Sequence, residues 1–191
     1  MDLGTTKART RRLAIATAVG AAAIFLAGCG SSSGPVNPPI QNGFGGGQPS
    51  ASAQHIHDAL INGAFIAPVG FDSPKLEEGD LTDQQRKGGV VSRVHVGFAS
   101  PQSSGVSFYV FGSADQAKAW ANDYAKNIPS DSKRIASKDA PGAVCADSTW
   151  LGGFCGLLIG QTFITSNATT VDMGAGPLMA AARSSYSTAN P

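Results

Sequence analysis

Alternating apolar and polar positions predict two strands in the middle of the chain. Over residues 90–98 every second position is apolar, and Arg93 and His95 lie between those positions. Residues 106–111 alternate in the same way. The link between the two runs, 100–105, is made of Ser, Pro, Gln and Gly, a composition that favours a turn. The pattern therefore predicts a β-hairpin with one apolar face and one more polar face.

Apolar residues at helical spacing predict three helices. The clearest begins at the N-cap residue Ser113, carries apolar residues at helical spacing over 117–128 and ends at Pro129. The same spacing predicts a short helix over 54–64 and an Ala-rich helix over 178–186.

Further strands are predicted over 133–137, 143–147 and 154–167. In the last of these both alternating sets are largely apolar, which is typical of a strand buried on both faces. Residues 65–80 contain Pro and Gly at intervals and predict an irregular segment. Together the elements predict an α+β fold, with a mainly antiparallel sheet of four to five strands and two or three helices packed on one side.

Composition excludes one class of function. The chain has 191 residues, a formal net charge of +1 and 14% charged residues, against about 25% in an average soluble protein. A chain this poor in Lys and Arg lacks the basic surface that binds phosphate backbones, so we expect no nucleic-acid partner. Its hydrophobic content of 42% is sufficient for a folded core.

The first residues have the features of an export signal. A basic start is followed by an apolar, Ala-rich run of 16 residues from Leu13 to Gly28. As a helix this run would be about 24 Å long, which is too short to cross a bilayer. We therefore interpret residues 1–28 as a signal peptide. The pair Arg11-Arg12 also resembles a twin-arginine export signal, so general secretion and twin-arginine export both remain open.

The apolar run ends in Leu26-Ala27-Gly28-Cys29, which resembles the lipobox of bacterial lipoprotein precursors. The resemblance implies that Cys29 carries a diacylglyceryl group, with acyl chains such as palmitate, and becomes the N-terminus after cleavage. It further implies a protein anchored by lipid to the extracytoplasmic side of the cell membrane. It implies nothing about the activity of the domain that follows.

Residues 29–54 are predicted to form the lipidated Cys and a disordered tether. After Cys29 these residues carry no charge, and 15 of the 25 are Gly, Pro or Ser. Such a composition cannot bury enough apolar surface to fold. As a random coil the tether would span roughly 25–30 Å. The remaining residues, 55–191, are sufficient for one domain.

Once Cys29 is lipidated, Cys145 and Cys155 are the two cysteines that remain. Because export places them in an oxidising compartment, we expect a structural disulfide between them. Closing so short a loop stabilises a fold by roughly 2–3 kcal/mol. The close Cys-x-x-Cys spacing of redox motifs is absent.

One cluster of side chains has the composition of a binding or catalytic site. The register that aligns the apolar faces of the hairpin places Ser107 and Tyr109 opposite Arg93 and His95. A base, a cation and two hydroxyls then converge. They could bind a small anionic ligand, or His95 could act as a general base. The alternative is an ordinary polar sheet face.

Three other groups of side chains have simpler interpretations. On a helix His55 and His57 diverge by about 200° and cannot share a metal ion. The acidic run over 77–83 lacks the ligand spacing of a calcium loop and is predicted to be a solvated loop. Trp150 and Leu151 lie within the loop closed by the disulfide, where they either pack back on the core or form a partner-binding knob.

These observations lead to one expectation and one alternative. We expect a membrane-anchored bacterial lipoprotein that presents a small non-catalytic binding or accessory domain in the cell envelope, with no metal or other cofactor. Its partner would be an envelope protein or a small ligand. The alternative is an envelope enzyme or a small-ligand carrier that uses the face of Arg93, His95, Ser107 and Tyr109.

Overall fold

The computed structural model describes residues 51–101 and 103–191. The predicted signal peptide, the lipobox with Cys29 and nearly all of the predicted tether lie outside these residues. The helices are α1 (Ala51–Ile61), α2 (Asp83–Lys87), α3 (Ala114–Lys126) and α4 (Gly176–Ala189), and a π-helical turn over Val171–Ala175 leads into α4. The strands are β1 (Lys75–Glu78), β2 (Val90–Gly97), β3 (Gly105–Phe111), β4 (Lys133–Ile135), β5 (Val144–Ser148), β6 (Gly152–Ile159) and β7 (Thr162–Ala168).

The seven strands form one antiparallel sheet in the order β1-β2-β3-β7-β6-β5-β4. Two meanders, β1 to β3 and β4 to β7, therefore meet where β3 pairs with β7. The predicted hairpin is present as β2 and β3, and the α+β class is confirmed. The sheet is larger than the four to five strands predicted.

Two features account for the additional strands. Residues 154–167 were predicted as one strand, but Gly160 takes a left-handed φ of 56° and turns the chain back, so this run forms β6 and β7. Lys75–Glu78 lies in the segment predicted to be irregular, yet it pairs with β2 along the edge of the sheet.

Helices cover both faces of the sheet, and the prediction that they pack on one side is wrong. Helices α1 and α4 bury one face, where Val106, Phe108 and Val110 of β3 belong to the main core. Helix α3 covers part of the other face through Trp120 and Tyr124. The physical reason is that the second face also carries apolar side chains that need cover, which are Phe111, Phe163 and Leu158.

The predicted helices are present, with shifted ends. Helix α1 begins at Ala51, inside the segment predicted as tether. Helix α3 has the predicted N-cap, in which the Ser113 side chain accepts a hydrogen bond from the Gln116 backbone. Helix α4 carries Pro177 in its first turn, as expected from its sequence. None of the helices that the structure describes is long and apolar enough to cross a membrane.

The predicted disulfide is present. Cys145 of β5 and Cys155 of β6 are direct cross-strand partners, and their sulfur atoms are bonded. Both side chains are buried in the main core. The bond therefore staples the two strands at the centre of the second meander, and its burial is typical of a structural disulfide.

Candidate functional site

The sequence-predicted cluster of Arg93, His95, Ser107 and Tyr109 assembles on one face of the sheet, and we call these four residues the polar patch. Arg93 is the cross-strand partner of Tyr109, and His95 is the partner of Ser107. The predicted register is therefore confirmed. The patch lies on the same face as α3, which packs over β3, β6 and β7.

The Ser107 hydroxyl is the centre of the polar patch. It lies 3.2 Å from Arg93 Nη2 and 3.0 Å from His95 Nδ1. Because a guanidinium group only donates, Ser107 Oγ accepts a hydrogen bond from Arg93. When Nδ1 of His95 carries no hydrogen, the same hydroxyl can donate a hydrogen bond to that nitrogen. Ser107 is buried, so these bonds are shielded from competing water.

The side chain of Arg93 is held in place by two contacts. Its Cζ lies 5.7 Å from the centre of the Tyr109 ring, within range of a cation–π contact. The backbone of Gly79 packs against the aliphatic stem, where an added Cβ would lie only 2.9 Å from Arg93 Cδ. Arg93 Nε is buried without a hydrogen-bond partner in the described part of the chain. The arginine is thus positioned by packing and retains unused donor capacity.

The surroundings of His95 favour its neutral form. Burial lowers the pKa of His95 below its ordinary value, and the positive charge of Arg93 lowers it further. The Glu77 carboxylate and the backbone of Val106 act in the opposite direction with smaller effect. At pH 7 the imidazole is therefore uncharged and able to accept a proton.

The floor beside His95 is made of glycine backbone. A Cβ added at Gly97 would meet only the His95 ring, at 3.7 Å from Nε2, and a Cβ at Gly105 would lie 3.0 Å from His95 Cε1. On β7, Thr165 pairs with Ser107 and Asn167 pairs with Gly105, so the polar row continues across the sheet. The imidazole therefore packs directly over the two glycines.

A second polar cluster, which the sequence reasoning missed, is buried on the opposite face. His57 of α1 pairs through Nδ1 with the Ser92 hydroxyl of β2. Its Nε2 lies 2.9 Å from Glu78 Oε1 of β1. The cluster has the residue types of a hydrolase triad, but Ser92 faces the main core and is covered by helix α1. Its position indicates that the cluster holds α1 against the edge of the sheet.

The sequence contained a signal for the burial of His57, although not for its partners. Helix α1 buries Ala53, Ile56 and Leu60, and His57 lies on the same side of the helix, one turn after Ala53. His55 is exposed, so the two histidines diverge as expected for a helix. No three His, Cys, Asp or Glu side chains of residues 51–101 and 103–191 come together as potential metal ligands.

The acidic run and the hydrophobic turn also have definite positions. Glu77 and Glu78 belong to the edge strand β1, not to a loop, and Glu77 Oε2 lies 3.3 Å from Lys75 Nζ. Trp150 and Leu151 form the turn between β5 and β6 and are 87% and 63% exposed. Of the two arrangements considered for this turn, the side chains project outward instead of packing back on the core.

Comparisons with known proteins provide no family for this chain. No family model matches it, and neither the curated proteins nor the solved structures contain a significant match. Its function must therefore be inferred from its own residues.

Proposed function

We propose that this chain is a lipid-anchored lipoprotein of the bacterial envelope, held through Cys29 on the extracytoplasmic side of the cell membrane. Its domain is a non-catalytic binding module. The ligand contact is the polar patch of Arg93, His95, Ser107 and Tyr109, and the group it takes is a small anion such as a carboxylate or a phosphate.

The observation that carries this proposal is the shared hydrogen bonding of one buried hydroxyl. Ser107 contacts both Arg93 and His95, so a permanent cation and a titratable base lie within one hydrogen-bonded unit. The positive charge of Arg93 opposes protonation of His95 and so lowers the pKa of His95. A bound anion would relieve that repulsion and would favour protonation of His95. The patch is therefore suited to a ligand with negative charge.

The experiment that tests the patch uses simple anions as probes. The purified mature protein is titrated with sodium phosphate and with sodium acetate at constant ionic strength, while NMR follows the His95 ring and the Ser107 amide. We expect saturable shifts at both positions, with tighter binding as the pH falls, because protonated His95 adds a second positive charge.

Two variants separate a specific site from general charge attraction. Arg93→Gln should weaken binding at least tenfold, whereas Arg86→Gln, which removes an arginine from α2, should leave binding unchanged. Equal losses in both variants, or shifts that never saturate, would contradict an anion site at the patch.

The anchor has a separate test. Cys29→Ala should release the protein from the membrane fraction or leave the signal peptide uncleaved, because the lipidated cysteine would be absent. Normal processing with unchanged membrane attachment would refute the lipoprotein assignment. Mass spectrometry of the mature N-terminal peptide identifies the acyl groups directly.

One observation favours an envelope enzyme as a second candidate. A hydroxyl 3.0 Å from an imidazole nitrogen is the arrangement through which a general base activates a serine. A fluorophosphonate probe would then label Ser107 in the native protein and fail to label it in His95→Ala. If Ser107 is not labelled in either protein, the binding module is the better assignment.

A further inference from the structure

Large apolar side chains are exposed at one end of the sheet. In the described part of the chain the exposed large hydrophobic residues are Ile66, Val69, Trp150, Leu151 and Met173, and each is more than 60% exposed. Ile66 lies beside helix α4, near Ala181 and Ser184, and we call the other four residues the apolar end. It is independent of the polar patch, because none of its members belongs to the patch or comes from β2 or β3.

The antiparallel register places the loops that carry these residues at the same end of the strands. The first residue of β1 pairs with the last of β2, and Gly105 at the start of β3 pairs with Asn167 near the end of β7. In the same way, the start of β6 pairs with the end of β5. The loop before β1, the β5–β6 turn and the segment after β7 therefore lie at the same end of the sheet.

Close packing joins these loops. A Cβ added at Gly174 would lie 3.4 Å from the Phe71 ring, and this contact brings the loop before β1 against the segment after β7. A Cβ at Gly153 would lie 2.1 Å from the carbonyl carbon of Thr170, so the start of β6 abuts the same segment. The segment that carries Met173 therefore packs against the loop that contains Val69 and against the start of β6, the strand that follows the turn of Trp150.

We propose that the apolar end inserts into the surface of a lipid bilayer and gives the domain a second membrane contact. The inference rests on the proposed lipid anchor, which keeps a bilayer within reach. The side chains come from three separate segments, which are the loop before β1, the β5–β6 turn and the π-helical turn after β7. The interfacial region of a bilayer accommodates scattered side chains of this kind, and Trp in particular concentrates there.

The position of the anchor allows this contact. Helix α1 starts at the opposite end of the sheet, where Ser52 Oγ lies 3.4 Å from Gln161 Oε1 in the β6–β7 turn. Cys29 precedes Ala51 by 22 residues, which can span at most about 75 Å when extended. An eight-residue strand is only about 26 Å long. Twenty-two residues are therefore long enough to reach from one end of the sheet to the other.

The charge of the loops indicates how the contact forms. The loops at this end contain no Lys or Arg, but Lys75 and Lys133 begin β1 and β4 there. Asp72, Asp131 and Asp172 lie at the same end and offset these two charges. Without a net positive charge to attract anionic headgroups, the contact must depend on apolar burial. Binding should therefore be as strong on zwitterionic vesicles as on anionic ones and should not weaken in salt.

Tryptophan fluorescence tests this inference on the whole mature protein. The chain has two tryptophans, and Trp120→Phe leaves Trp150 as the only reporter. The protein is reconstituted in phosphatidylcholine vesicles that contain lipid spin-labelled near the headgroup. We expect a shift of the emission to shorter wavelength and at least twofold quenching by the spin label.

A second variant carries its tryptophan at the opposite end of the sheet. It measures the quenching that the lipid anchor alone would produce. The variant Trp120→Phe/Trp150→Phe/Asp115→Trp carries its only tryptophan on the exposed first turn of α3. A domain that tumbles on its tether would show equal quenching of the two reporters, which would overturn the inference. Quenching confined to Trp150 supports it.

Flotation of the vesicles separates this inference from the proposed anchor. A protein that floats with the vesicles while Trp150 stays unquenched overturns the inference and leaves the anchor intact. A protein that does not float at all overturns the anchor and the inference that rests on it.

Discussion

His57 Nε2 lies 2.9 Å from Glu78 Oε1, and this contact joins helix α1 to the edge strand β1. The other ring nitrogen pairs with Ser92 of β2. A single buried imidazole therefore fastens the first helix to two strands. Because the buried Ser92 would lose its partner, His57→Ala should lower the free energy of unfolding by about 1–3 kcal/mol. Urea unfolding followed by circular dichroism measures this change.

The matched control is His55→Ala on the same helix. His55 is exposed, so its removal should change the free energy of unfolding by less than about 0.5 kcal/mol. Because Ala has a higher helix propensity than His, propensity cannot cause a loss in either variant, and equal effects of the two substitutions would contradict a stabilising role for the buried contacts of His57.

The disulfide gives a second prediction. The variant Cys145→Ser/Cys155→Ser should unfold with a free energy roughly 2–3 kcal/mol lower, because the unfolded chain regains the freedom of the open loop. Reducing agent should destabilise the parent protein by a similar amount and leave the double variant unchanged. Alkylation of Cys145 in the folded, unreduced protein would contradict the bond.

The titration of His95 gives a third prediction. Burial and Arg93 hold the pKa of His95 in the folded protein below its unfolded value of about 6.5. In the window between these two values the unfolded chain binds more protons, so the free energy of unfolding rises with pH. The contribution is complete above pH 6.5 and is lost as the pH falls through the folded pKa.

Substitution of the two charged residues that act on His95, Arg93 and Glu77, tests the cause of this pKa shift. Arg93→Gln should raise the pKa of His95, since it removes a positive charge, and Glu77→Gln should lower it further, since it removes a negative charge. NMR titration of the His95 ring measures both changes. Shifts of the same sign in the two variants would rule out a local electrostatic cause.

A fourth prediction concerns the close contact at Gly153. Gly153→Ala should lower the free energy of unfolding by about 2–3 kcal/mol or more, because its Cβ would overlap the backbone of Thr170. Gly97→Ala is the control, since its Cβ would lie in ordinary contact with the His95 ring, and it should be tolerated. Thermal unfolding of the two variants provides the comparison.

The elements that the sequence predicted well are those with a strong local pattern. The hairpin of β2 and β3 follows from strict alternation, and its register follows from matching the apolar faces, so the polar patch could be assembled from sequence alone. Helix α3 follows from its N-cap at Ser113 and from Pro129 beyond its end. In each case neighbouring residues determine the structure.

The features that were missed depend on distant partners. Residues 75–78 form a strand only because β2 presents an open edge, and nothing in their own sequence alternates. His57 is buried because Glu78 and Ser92 satisfy its ring nitrogens, and a sequence pattern does not reveal such partners. Helix α2 was missed although Thr82 and Gln85 form a capping box, because five residues are too few for a periodic pattern.

The pairing of β3 with β7 affects the order in which the parts of this protein can fold. Strand β3 must wait for residues 162–168 before its outer edge is covered, and the main core also needs Leu178, Met179 and Ala182 of α4. During synthesis, which proceeds from the N-terminus, the first meander therefore emerges long before it can be completed. Such long-range pairing delays folding. The first meander becomes rigid only after β7 and α4 have been added to it.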